Sequence, residues 1–282
     1  MFPMPIEKTQ PWTRFAYRVF LPIVLLLWLL PLLGVALTSL KPAADLDSGN
    51  YFGLPSRVAF ENYWLVFTNS NIGLYFWNSI KVTVPTVVCS ISLSLLAGFA
   101  LATYSFRSNL IIFFMFVAGN FVPFQILAIP VRDLTINIGL YDTTLGLALS
   151  HIAFQTGFCT LFMRNFIKAL PDALIESARV EGVSEWKIFW HIVVPLVRPA
   201  IAALSVLVFT FIWNEYFWAT IMSQSVDVRP VTAGINELSG EWKAQWELIS
   251  AASILTAAPP VLMFFLMQKH FIAGLTLGAT KG

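Results

Sequence analysis

Val19–Leu40 reads VFLPIVLLLWLLPLLGVALTSL, 22 residues without one charged side chain. A helix rises about 1.5 Å per residue, so this stretch reaches about 33 Å and can cross a hydrocarbon core of about 30 Å. Arg14 and Arg18 precede it, in the manner of a secretory signal. The apolar part of such a signal is only about 7–15 residues long. Val19–Leu40 therefore reads as a retained membrane span.

Similar stretches recur along the chain: Val82–Phe106 and Ser108–Val131, separated only by Arg107, then Thr143–Met163, Pro199–Asn214 continuing to about Ser223, and Leu248–Gln268. Six spans predict an all-α integral membrane protein. Composition agrees, with 57% hydrophobic and 11% charged residues, against about 25% charged in soluble domains. The missing charge implies that the partner of most of the surface is the lipid bilayer. A formal net charge of +2 is too small to suggest a nucleic-acid partner. Cys89 and Cys159 fall in apolar stretches without metal-ligand spacing, and both are expected to be buried small hydrophobes.

The bases choose an orientation. Crossing from inside to outside with the first span puts Lys8, Arg14, Arg18, Arg107, Arg164, Lys168, Arg179, Lys187, Arg198, Lys269 and Lys281 in the cytoplasm, eleven in all. Lys41, Arg57, Arg132, Arg229 and Lys243 fall outside, and Lys81 lies near a span end. The positive-inside rule favours this arrangement, with both termini cytoplasmic. The outer segments collect acids instead, among them Asp45, Asp142, Asp227 and Glu247. Two of them, Lys41–Phe76 and Gln224–Glu247, carry aromatics such as Tyr51, Phe52, Trp64 and Trp242, suited to interfacial anchoring or to contact with a soluble partner.

Between the fourth and fifth spans lies ALPDALIESARVEGVSEWKIFWHIVVP, residues 169–195. Pro171 and Asp172 suit a first helical turn, Gly182 a left-handed stop, and Ser184 the cap of a second short helix running to about Trp190. Pro195 and Pro199 then bend the chain into the fifth span. Leu174, Ala178, Trp186, Phe189 and Trp190 offer apolar surface, and Glu176, Arg179 and Glu181 offer charge. By physics alone this hairpin either plugs into a cleft of another protein or lies on the lipid headgroups.

The stretch resembles the cytoplasmic loop of permease subunits of binding-protein-dependent ABC importers. Their pattern is Glu-Ala-Ala, three residues, Gly, nine residues, then Ile-x-Leu-Pro. Here Glu176-Ser177-Ala178, Gly182 and Ile192-Val193-Val194-Pro195 keep that spacing, with Ser177 in place of Ala and Val194 in place of Leu. The ending, Phe271–Gly282, resembles the tail of the smaller permease of maltose-type sugar importers, and Trp213-Asn214-Glu215 resembles a Trp-Asn-acid element in their fifth span. The likeness runs from about Tyr75 onward. It implies the type I ABC importer permease fold in the bacterial inner membrane. The chain would divide into an N-terminal segment with the first span and outer loop (1–76), a permease core (77–270) and a cytoplasmic tail (271–282).

The resemblance also implies partners: a second homologous permease forming a heterodimer, two ATP-binding-cassette ATPase subunits and a periplasmic sugar-binding protein. ATP and Mg would be used by the ATPases, with no cofactor or metal bound by this chain. Glu176, Ser177, Ala178, Gly182, Ile192 and Pro195 would couple the ATPase to the spans, and Gly274, Leu275, Thr276 and Gly278 would touch it from the tail. No Gly-x-x-x-x-Gly-Lys-Ser/Thr phosphate loop, His-Glu-x-x-His or Gly-x-Ser-x-Gly occurs, so neither ATP hydrolysis by that route nor hydrolase chemistry is expected of the chain itself.

Glu215 is the one acid well inside a span, where an ionised side chain costs on the order of 2.5–3.5 kcal/mol. It is expected either to line a polar pathway with Asn214 or to make a structural hydrogen bond. Asn120 and Gln125 are further pathway candidates, followed by Asn78, His151 and Gln155. The rival function is a secondary transporter or channel independent of ATP. Such a protein would need more ionisable groups in its spans than Glu215, and it would leave the 171–195 loop unexplained.

Overall fold

A computed structural model describes residues 11–240 and 244–279, with the side chains of the last helix followed to Gln268. Every regular element among the described residues is helical. The chain divides into two compact units, one of residues up to Ser70 with Glu237–Leu255, the other of Asn71–Asn236 with residues from Thr256 on.

In the first unit α1 (Pro11–Ser39) carries the opening apolar run, and its side chains are exposed up to Val35, apart from a half-buried Arg14. A helix apolar all round and uncovered by protein has its surface matched to lipid. The short helices α2 (Ala43–Asp47) and α3 (Glu61–Thr68) follow. Polar bonds organise this segment. The buried Lys41 Nζ donates to the carbonyls of Asn50 at 2.6 Å and Tyr51 at 2.9 Å. Asn62 donates to the carbonyls of Ser39 and Lys41, both at 2.8 Å. Asp45 accepts from the Ser56 hydroxyl and backbone N–H, and these bonds hold its carboxyl below the usual range. A buried ammonium needs such acceptors, since desolvation without them is costly. The loop is thereby pinned with Phe52 and Trp64 outward.

The second unit is built on α4 (Ile72–Thr103) against α7 (Thr144–Lys168). On α4 the buried face runs Ser79, Thr83, Thr86, Ser90, Ser94 and Gly98, small residues three or four apart. Small side chains let backbones approach closely where lipid supplies no hydrophobic drive. A Cβ added at Gly98 would lie 2.9 Å from the Arg164 backbone nitrogen. The Ser94 hydroxyl reaches the Thr156 carbonyl at 3.2 Å, and Thr160 donates to Ser94 at 3.3 Å. Cys159 is buried in this seam, but Cys89 on α4 is exposed, which corrects the expectation that both would be buried.

The expected third span is broken: α5 (Asn109–Gly119) meets a 3-10 turn (Phe124–Leu127) continuing into α6 (Ala128–Asn137), at 87°. Pro123 explains the break, since it lacks an N–H and pushes its predecessor away from helical dihedrals. The fifth span is also bent. The helical stretch Glu185–Leu196 meets α11 (Arg198–Trp213) at 72°. That stretch comprises α9 (Glu185–Ile188), a π turn (Phe189–Val193) and α10 (Val194–Leu196). After α11 the helix stops at Asn214–Tyr216 and resumes as α12 (Phe217–Met222). Among the described residues four helices are long and apolar enough to cross a membrane, or up to six spans if each bent pair counts as one.

The loop after α12 returns through α13 (Val231–Gly234) against the start of α4. Asn78 donates to the carbonyls of Val226 and Arg229, both at 3.0 Å, and Ser79 accepts the Val231 N–H. Asp142, at φ 53° before α7, accepts backbone N–H groups of Gln224 and Ser225. Burial raises its pKa, but those bonds and Arg229 outweigh it and hold the carboxyl below the usual range. The final helix, α14 (Trp246–Ala279), contains Pro259 and Pro260.

Candidate functional site

The 169–195 segment forms two helices joined at a left-handed glycine. The first, α8 (Asp172–Val180), has Asp172 in its opening turn and Arg179 in its last, both favourable to the helix dipole. Gly182 has φ +76°. Its N–H donates to the Arg179 carbonyl at 3.0 Å, and the Val183 N–H to the Ala178 carbonyl at 3.0 Å. This pair of bonds is a Schellman stop, and it satisfies carbonyls that the helix end would otherwise leave open. A Cβ at Gly182 would meet no atom within 4 Å, so glycine is required there by backbone conformation and not by space. Ser184 sits at the cap position of α9 without a side-chain cap bond, contrary to expectation.

The hairpin has two faces. Ile175, Ala178, Ile188, Phe189 and Val193 are buried in the core, where Val183 and Ile192 also pack. Ala178 and Phe189 thus face inward and do not supply the outer apolar surface expected of them. Glu176, Ser177, Glu181 and Gly182 are exposed together with Val180, Trp186 and Trp190. Pro195 is half-buried directly after the π turn. In a regular α-helix its ring would crowd the His191 carbonyl, and a wider turn relieves that crowding.

What fastens the hairpin is a triad of which the sequence singled out only Arg179, as a surface charge. Arg179 Nε donates to Glu185 Oε1 at 2.7 Å and its Nη2 to Oε2 at 3.1 Å, bridging the two helices across Gly182. The Tyr104 hydroxyl, from the end of α4, donates to Glu185 Oε2 at 2.7 Å, and the Arg179 guanidinium lies 5.3 Å from the Tyr104 ring centre. The Arg179 bond holds the Glu185 carboxyl below its ordinary range. Opposite charges six residues apart on either side of a glycine stop were the available signal. Tyr104 is 81 positions from Glu185, and only the fold brings it there.

A cavity of about 450 Å³ lies among α5, α7, α11 and α12. Glu215 and Asn120 line it, with His151, Gln155 and Trp218. The Glu215 Oε2 also accepts the N–H groups of Trp218 at 2.8 Å and Ala219 at 3.2 Å where the helix restarts, a structural hydrogen bond of the kind expected. His151 and Gln155 are buried, and Trp218 Nε1 is buried without a hydrogen-bond partner among the described residues. The structure does not bring the other candidates to the cavity. Gln125 is exposed. Asn214 is exposed and donates to the Thr210 carbonyl at 2.9 Å, as a residue following a helix end does. Asn78 serves the loop after α12. In the tail the backbone of α14 is helical to Ala279, while the side chains of Gly274, Leu275, Thr276 and Gly278 lie outside the described residues.

Comparison with known proteins gives a consistent set of likenesses. The profile of the family described as binding-protein-dependent transport system inner membrane component matches residues 90–276. The chain is 33% identical to the osmoprotective compounds uptake permease protein of Synechocystis sp., over 98% of this chain and 95% of that protein. It is 30% identical to the arabinooligosaccharides transport system permease protein of Halalkalibacterium halodurans, over 98% and 99%. Among solved structures, one chain of a bacterial ABC transporter involved in the import of the acidic polysaccharide alginate superposes with a TM-score of 0.82 at 22% identity, covering 96% of this chain and all of that one. At that identity the superposition speaks for the fold.

Proposed function

This chain belongs to the binding-protein-dependent transport system inner membrane components, and from that premise we propose that it is the smaller permease of a heterodimeric sugar importer. The family is the membrane-embedded, non-catalytic part of ABC importers and lies in the inner membrane as a multi-pass protein. In our reading a second homologous permease pairs with it, two ATPase chains bind ATP and Mg below it, and a periplasmic binding protein delivers a sugar or sugar derivative from above. Both termini are cytoplasmic. The arabinooligosaccharide relative supports the substrate class. So does the cavity, whose polar lining is neutral apart from a Glu215 carboxylate already bonded to backbone N–H groups.

The observation that carries this reading is the two-faced hairpin. Its inner face is packed into the core that contains α4, α7 and α11, so a push on it is transmitted to those helices. Its outer face presents Glu176, Ser177, Glu181 and Gly182 around a rigid turn. ATP binding would close the ATPase pair, move the hairpins and open the pathway outward, and hydrolysis would reset it. Residues Glu176, Ser177, Ala178, Gly182, Ile192 and Pro195 form the coupling element, the first two and Gly182 by contact and the others by packing. The 274–278 tail would add a second contact with the ATPase.

The test is Gly182→Asp. A non-glycine side chain in the left-handed region costs roughly 1–2 kcal/mol, and the acid projects from the contact face. Sugar uptake should be abolished and ATPase co-purification lost while the permease stays in the membrane. Gly182→Asn, which tolerates that region better, should keep part of both. Normal uptake and ATPase retention in Gly182→Asp would remove the hairpin from the coupling role.

A further inference from the structure

A second cavity, open and of about 550 Å³, lies where the end of α4 and the start of α5 meet the end of α7. Three cations line it, Arg107, Arg164 and Lys168, and its lining contains no carboxylate. Arg164 is half-buried and fixed, with its Nε donating to the Leu101 carbonyl at 3.3 Å and its guanidinium 3.9 Å from the Phe113 ring centre. Arg107 and Lys168 are exposed and have no acidic partner among the described residues. Glu185, which is bonded to the lining residue Tyr104, is itself occupied by Arg179.

The remaining lining is apolar on one side. Leu110 and Phe106 belong to it, and Leu110 opens onto α5, a helix without a buried residue that exposes Ile111, Phe114 and Met115. The pocket therefore offers concentrated positive charge at one end and a continuous apolar surface at the other. A free phosphate would use only the charge, and an acidic protein side chain would leave the apolar surface uncovered. A phospholipid with an anionic headgroup uses both, its phosphate among the cations and its acyl chains along α5.

We propose that the Arg107–Arg164–Lys168 pocket is a binding site for an anionic phospholipid of the inner leaflet, seated beside the Tyr104 anchor of the hairpin. The proposal rests on the membrane placement and orientation given above. A basic group close to an anionic lipid surface strengthens binding roughly fivefold, so removing two of the three lowers it about 25-fold.

The experiment uses the assembled transporter in nanodiscs of phosphatidylcholine with a small fraction of phosphatidylglycerol, and native mass spectrometry of the lipid retained after release. Wild type should retain phosphatidylglycerol selectively. Arg107→Gln with Lys168→Gln should lose that selectivity by about 25-fold, and Arg107→Lys with Lys168→Arg should restore it. Millimolar inorganic phosphate should leave the retained lipid in place. Equal retention in the double glutamine variant would overturn the proposal. Displacement by inorganic phosphate would do so as well, by showing a plain anion site. Loss of ATPase co-purification with lipid retention unchanged would assign the cations to a protein contact and also overturn it. Lipid retention is read without transport, so failure here leaves the permease reading standing, whereas failure of that reading appears in the Gly182→Asp uptake and co-purification.

Discussion

Glu215 has a carboxylate in a span and survives there because the helix is broken around it. The gap between α11 and α12 exposes backbone N–H groups, and Glu215 accepts two of them, from Trp218 and Ala219. Its own carbonyl accepts the Thr232 hydroxyl at 2.9 Å, which ties the break to α13. Truncation leaves buried donors unsatisfied, at about 1–3 kcal/mol. Glu215→Ala should therefore lower both assembly and sugar uptake. Glu215→Gln keeps one carbonyl oxygen for the same bonds and should assemble like wild type. Uptake then separates the two roles: near-normal transport by the glutamine variant assigns Glu215 to holding the break, and lost transport in a fully assembled complex assigns its charge to the pathway. Wild-type uptake and assembly in Glu215→Ala would deny it either.

At the scale of the element, the hairpin depends on one ionised carboxylate. The Arg179 bond lowers the Glu185 pKa below its ordinary 4.5. A group with a depressed folded pKa contributes stability above its unfolded pKa and loses it as pH falls through the folded value. Hydrogen exchange over 172–196 should thus be slow from neutral pH down to about 4.5 and quicken below it. Correction for the intrinsic pH dependence of amide exchange is part of that measurement. Glu185→Gln should exchange faster at neutral pH and lose the acid transition. An acid transition of wild-type size in that variant would place the anchor on another group.

For the whole molecule, orientation is the property on which the other assignments depend. The distribution of bases predicts that the hairpin and both ends face the cytoplasm. Thiols at Ser48 and Gly240, both exposed, should react with an impermeant reagent in intact cells, and one at Ser184 should not. The two native cysteines are replaced by serine for this measurement, since Cys89 is itself exposed. Labelling of Ser184 from outside would reverse the topology and remove the coupling role.

Sequence alone determined which segments are apolar enough for the membrane, because twenty apolar residues in a row have no other stable solvent than lipid. It determined the glycine stop and the hairpin as well, since a helix-forming run, a residue able to adopt positive φ and a second run are local properties. Only the tertiary structure decided what depends on distant partners. Ser79, Thr83, Thr86, Ser90, Ser94 and Gly98 form a legible small-residue stripe, yet nothing local says that α7 lies against it. Tyr104 reaches Glu185, and Asn120, the α7 pair His151 and Gln155, and Glu215 reach one cavity from three separate parts of the chain. The breaks at Pro123 and Asn214 were hidden in apolar runs, because hydropathy adds residue by residue and does not register where the backbone hydrogen bonds stop. A span is written in composition, whereas a site in a membrane protein is written in which helix faces meet.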